Sequence, residues 1–147
     1  MATRRTSRVR VDVQGIEDFN RQVRRLRQDI FRALPEGAKA GADIVRDNAS
    51  ARARRKSGDM ADGIISQVTW DKNAPIAFAA ACLDPAKNDT FVKYSANGKR
   101  YYYPAAVEYG HGKVPAYPFM RPAMTKNRAK IKKEIASRFK AVIDEMR

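Results

Sequence analysis

The sequence predicts an α+β fold: an antiparallel β-sheet with two N-terminal helices and a long C-terminal helix packed against it. Three observations point there. Apolar residues recur every three or four positions near both ends of the chain. Between them lies a tyrosine-rich stretch of alternating or continuous apolar residues, punctuated by turn signals. The charge divides in the same way. The 147 residues carry a formal net charge of +14, distributed as net +8 over 1–56, zero over 57–118 and +6 over 119–147. A chain of this length suits one domain.

In chain order, Val9, Val11 and Val13 alternate with Arg10 and Asp12, the period of a short half-buried strand. Phe19, Val23, Leu26, Ile30 and Leu34 then form a single helical stripe, with Glu17 and Asp18 complementing the positive end of its dipole. Pro35 should kink or end that helix. A second helix is expected to about Ala53, with a face of small residues (Ala38, Gly41, Ala42, Val45, Ala49) that lets another backbone approach closely. Ile64 to Trp70 reads as a strand whose alternation Ser66 interrupts. Ile76 to Leu83 reads as a strand buried on both faces, its length favouring strand over a short buried helix. Asp84 to Asp89 is an expected loop. Phe91 to Tyr94 and Arg100 to Glu108 flank the hairpin signal Asn97-Gly98, with Pro104 implying an edge position or a bulge. Pro122 is placed to open the last helix, whose stripe is Met124, Ile131, Ile135, Phe139, Val142 and Met146. The expected divisions of the single domain are an N-terminal strand or arm over 1–14, helices over 17–56, sheet over 64–109, a loop over 110–121 and the C-terminal helix over 122–147.

No catalytic constellation can be assembled. His111 is the only histidine and sits in a loop between two glycines. Cys82 lies in an apolar run, where an inert thiol is expected, and one cysteine forms no internal disulfide. One Cys and one His also exclude the common structural zinc sites. Asp59 and Asp62 at a loop-to-strand junction suit capping or solvation. No phosphate-binding glycine loop is present, so neither a cofactor nor a metal is expected. The basic start, Met1 to Arg10, is not followed by an apolar core and is read as no secretory signal, and no run is long enough to span a bilayer. A soluble domain made inside the cell is expected.

The basic residues admit two readings. Arg21 and Arg25 on the first helix, then Arg52, Arg54, Arg55 and Lys56, could contact phosphates or an acidic partner, or could form a solvated helix back. No helix-turn-helix or zinc-finger pattern accompanies them. The small-residue face and Tyr101, Tyr102 and Tyr103 suit subunit contacts, and suit equally a core closed within one chain.

Ala105-Ala106-Val107-Glu108-Tyr109-Gly110 and the later Ala116-Tyr117-Pro118-Phe119-Met120-Arg121-Pro122-Ala123 resemble the gene-product-ten-like family of lambdoid siphophages, neck or tail-completion proteins of the head–tail joint. That family pairs V-E-[FY]-G with P-F-[LM]-R-P-A. Ser57-Gly58-Asp59-Met60-Ala61-Asp62-Gly63-Ile64 is similar to its T-G-x-L-x-x-S-I element, with Met60 for Leu and Gly63 where Ser is common. An aromatic insert around Tyr101 departs from the pattern. The resemblance implies a non-enzymatic structural virion protein of the neck, assembled in the host cytoplasm. It forms a homo-oligomeric ring, commonly six-fold, that meets head connector or adaptor proteins and tail terminator or tail tube proteins and passes DNA through its lumen, without membrane contact. Glu108, Tyr109, Gly110, Pro118, Phe119, Met120, Arg121 and Pro122 are the motif residues expected at subunit contacts. Phe119 and Met120 could equally anchor the chain's own core, and Glu108 is the expected ion-pair partner of Arg121. The alternative function is a small basic nucleic-acid-binding accessory protein.

Overall fold

A computed structural model of the chain describes residues 15–146. The strand expected over 1–14 therefore lies outside the described residues. The axis of the fold is helix α1, Ile16–Arg52, whose 37 residues span about 55 Å. Gly15 opens it in the left-handed region at φ 86°, and its carbonyl accepts the Phe19 N–H at 2.9 Å. The break expected at Pro35 does not occur, so the two N-terminal helices are one. A proline in a helix interior costs about 3 kcal/mol, but no C-capping residue stands beside it, and Ala33 and Gly37 on either side are buried. Packing along that face holds the helix through the defect.

The α+β architecture itself is as expected. The last segment forms two helices rather than one, α5 (Met120–Thr125) and α6 (Arg128–Glu145). Helix α6 runs antiparallel along α1, with Gly37 opposite Ile135 and Phe139, and Gly41 opposite Ile131 and Ile135. A Cβ on Gly41 would lie 2.7 Å from Ile135 Cδ1. The small-residue face thus serves a close contact within the chain.

Strands β1 (Ile64–Trp70) and β2 (Ala77–Leu83) form an antiparallel hairpin against α1, registered Ile64 to Leu83 and Trp70 to Ala77. Ser66, which interrupts the β1 pattern, faces α1 and donates its hydroxyl hydrogen bond to the Asp43 carboxylate. That carboxylate also accepts from Arg46 Nη1 and Lys39 Nζ, each at 2.9 Å. Burial raises the Asp43 pKa, but the Ser66 hydroxyl, Lys39 and Arg46 outweigh it and hold the carboxyl below its ordinary value. Strand β2 is less buried than expected: none of its residues is fully buried, Phe78 and Ala80 are exposed (Phe78 71%), and the rest are half-buried.

The single sheet divides into two. The stretch expected as a loop coils into a 3-10 turn, Pro85–Lys87, and a one-turn helix, leading to strands β3 (Val92–Tyr94) and β4 (Arg100–Tyr102) paired around Gly98. With α2 (Asp59–Asp62) preceding β1, that one-turn helix is α3, Asn88–Phe91. It turns the chain away from the first hairpin and buries Phe91, whose ring meets Tyr102 edge-on at 6.1 Å. Strand β4 is also shorter than expected, because Tyr103–Tyr109 forms helix α4. Pro104 sits in its first turn, where no backbone N–H is needed. It marks a helix start and neither an edge nor a bulge.

The core gathers at the C-terminal end of α1. Ala49, Ala53, Met60, Ala61, Ile64, Phe91, Phe119 and Ala123 are buried there together. Gly63 is required among them: a Cβ on it would lie 2.6 Å from the Phe91 ring and 2.8 Å from the Asp59 carbonyl. Here the departure from the serine common at this motif position has a steric cause.

Candidate functional site

The two motif elements meet at one carboxylate. Helix α4 carries Glu108 inward, 5% exposed, and Gly110 at φ 80° turns the chain out of that helix. The chain returns with the Tyr117 N–H donating to the Val107 carbonyl at 2.7 Å, which sets the start of α5 beside Glu108. Glu108 Oε2 then accepts the N–H groups of Phe119 and Met120 at 2.8 and 3.0 Å, and Oε1 accepts that of Arg121 at 3.0 Å. A helix begins with four N–H groups that lack partners inside it. Glu108 takes three of these, and Pro122 at the fourth position has none to satisfy.

Arg121 closes the arrangement. Its Nε lies 3.2 Å from Glu108 Oε1 and its Nη2 donates to the Glu108 carbonyl at 3.4 Å, so the expected ion pair is present. The guanidinium also lies 5.0 Å from the centre of the Tyr109 ring. Burial pushes the Glu108 pKa up, but the three backbone donors and Arg121 exceed it and hold the carboxyl below its usual range. A charged acceptor makes such bonds stronger than neutral ones. The arrangement is a structural clasp: it fixes the angle at which α5 leaves the loop and joins α4 to the last two helices.

The other motif residues divide between inside and outside. Phe119, 1% exposed, fills the core of its own chain. Pro118, Pro122 and Met120 are half-buried, Gly110 sits against the backbone of Val114 and Ala116, and Tyr109 is exposed. In the aromatic insert, the Tyr101 and His111 rings stack with parallel planes, their centres 6.3 Å apart.

The basic residues do not form one cluster. Arg21, paired with Asp18 at 3.3 Å, and Arg25 lie near the start of α1. Arg52 ends that helix and Arg54, Arg55 and Lys56 follow it, about 45 Å farther along. Arg54 lies over the Tyr117 ring at 4.3 Å, which places the second group beside the clasp. Burial and then the Asp84 carboxylate push the Cys82 thiol pKa up, which leaves it protonated near neutrality. Among the described residues no group of three or more His, Cys, Asp or Glu side chains could hold a metal ion, and no helix is long and apolar enough to cross a membrane.

Sequence reasoning missed one feature. An apolar groove of about 690 Å³ runs between β2 and helices α5 and α6, floored by the small residues of α1. The available signal was the small-residue face itself, which fits both a close helix contact and the bottom of a groove.

No curated protein and no solved structure matches the chain. A family model does: bacteriophage HK97-gp10, described as a tail component, matches residues 17–110. The match runs from the first turn of α1 through Glu108 to Gly110, and the Phe119–Ala123 element that Glu108 grips lies just beyond it. By this match over more than half its length, the chain belongs to the HK97-gp10-like family of bacteriophage structural tail components.

Proposed function

We propose that the protein acts at the neck of a siphophage virion, where copies form a ring, commonly six-fold, that joins the capsid connector to the tail and lets DNA pass. The observation that carries this reading is the family match over 17–110, which takes in the Glu108 half of the clasp. The clasp supports a structural role, because its polar groups are consumed in holding α5. Tyr109 and the half-buried Met120 leave surface beside it for contact with another virion protein. The two basic groups supply contact with DNA in the lumen or with an acidic connector ring.

Electron microscopy or native mass spectrometry of the protein with connector or tail components tests the proposal. Rings on joined particles are expected. A chain that stays monomeric and joins no particle under any such condition would overturn it. The nucleic-acid-binding alternative predicts a loss of DNA affinity of about a thousandfold or more between 50 and 200 mM salt. Separation of the basic residues into two groups gives that alternative less support than one continuous patch would.

A further inference from the structure

Among the described residues, the apolar stripe of α1 is covered over only half its length. From Ala33 onward its small residues meet α6, the hairpin and α5. Before that, Ile16, Phe19, Val23 and Leu26 stand between 45% and 63% exposed on one helix face. The groove beside β2 is bare in the same way, with Phe78 and Met124 more than half exposed and Ile135 at its edge. The exposed side chains of the stripe amount to on the order of 400 Å², as large as the biggest patch on a typical monomer.

These two surfaces cannot cover each other within one chain. The floor of the groove, Ala38 to Val45, belongs to the same helix as the stripe, and Phe19 lies about 33 Å from Gly41 along it. A continuous rod does not fold back on itself. Their chemistry nevertheless matches. A helical stripe with steps of three and four residues is the shape that fills an apolar groove between secondary-structure elements. Among the described residues, the only charged side chain lining the groove is Arg121, and Glu108 already holds it. The stripe's apolar area is roughly half of the ~800 Å² per partner of a standard interface, leaving the rest to a polar rim.

We propose that the Ile16–Ile30 part of α1 in one copy seats its apolar face in the groove of the next copy. Such a contact joins two different patches, so every copy offers one and receives one, and the assembly closes into a ring when the rotation allows. The inference rests on the ring reading above and specifies its interface.

Cross-linking of the full chain on joined particles tests it. In a Cys82→Ala background, Val23→Cys and Met124→Cys are placed on separate copies, mixed, and treated with a short bis-maleimide. Covalent pairs are expected from the mixture and from neither variant alone, and a ladder of multimers from the chain carrying both substitutions. Self-pairing of Val23→Cys alone would overturn the inference in favour of contact between two α1 helices. Assembled rings without a 23–124 link would overturn it while leaving the ring reading intact. If the unsubstituted protein forms no ring, both fall together. Val23→Glu is expected to weaken assembly about thirtyfold or more, the scale of a central anchor residue, with the circular dichroism of the free chain unchanged. Assembly of Val23→Glu at the unsubstituted level would overturn the docking directly.

Discussion

The two ends of α1 share one apolar period but differ in residue size. Around Gly37 to Ala49 the stripe is made of small residues, and the chain's own α6, hairpin and α5 press against it. Around Ile16 to Leu26 it is made of large residues, and these stand exposed. Amphipathic spacing shows that a face will be covered; residue size shows how closely. Small side chains go with a backbone packed nearby, whereas the large exposed ones are knobs without holes among the described residues. The difference divides the molecule into an end that specifies the fold and an end that is free to specify a contact.

Substitutions should separate the two ends. The largest loss is expected from Glu108→Ala at the core end, which leaves three backbone N–H groups and Arg121 without their acceptor. A loss of about 3–5 kcal/mol in urea unfolding fits three backbone donors left without an acceptor, at about 1–3 kcal/mol for each that stays buried. A smaller loss, about 1–3 kcal/mol, is expected from Gly63→Ala, because neither the buried Phe91 ring nor the Asp59 carbonyl can withdraw without strain. Acid should act on the same end. The Glu108 carboxyl is held below its ordinary pKa of 4.5, so its contribution is complete above that value and declines as pH falls below it. Asp43, held below 3.8, adds to the decline in more acidic solution. Urea midpoints measured from pH 7 to pH 3 should fall on this schedule, and Glu108→Gln should flatten the curve. The smallest effect belongs to the other end. Phe19→Ser should change the stability of the free chain by no more than about 0.5 kcal/mol. A loss there as large as that of Gly63→Ala would mean that the stripe belongs to the chain's own core, and the division would fail.

Much of this was legible in the residues. The helical stripes, the Asn97-Gly98 hairpin and the Glu108–Arg121 pair were readable because each rests on local spacing or on two adjacent motifs. Pro35 and Pro104 misled in opposite directions. A proline's effect depends on how many backbone bonds surround it: Pro35 lies within a helix held by tertiary packing, and Pro104 occupies a helix start where it disturbs nothing. Division of the sheet was not legible, because it depends on where Phe91 finds its pocket. Neither was the groove, which is made by elements far apart in sequence. In the site, Glu108 was found as a partner for a side chain, yet most of its bonds go to backbone groups, which leave no mark in a sequence.

That last point bears on how the chain can vary. Glu108 holds peptide N–H groups at 119, 120 and 121, and every amino acid but one supplies them. These backbone bonds do not depend on which side chain stands at 120, whereas Phe119 in the core and Arg121 on Glu108 add side-chain contacts of their own, and proline is barred from all three positions. The side chain at 120, half-exposed beside the groove, can thus change to suit a different neighbour while the helix that presents it stays where it is.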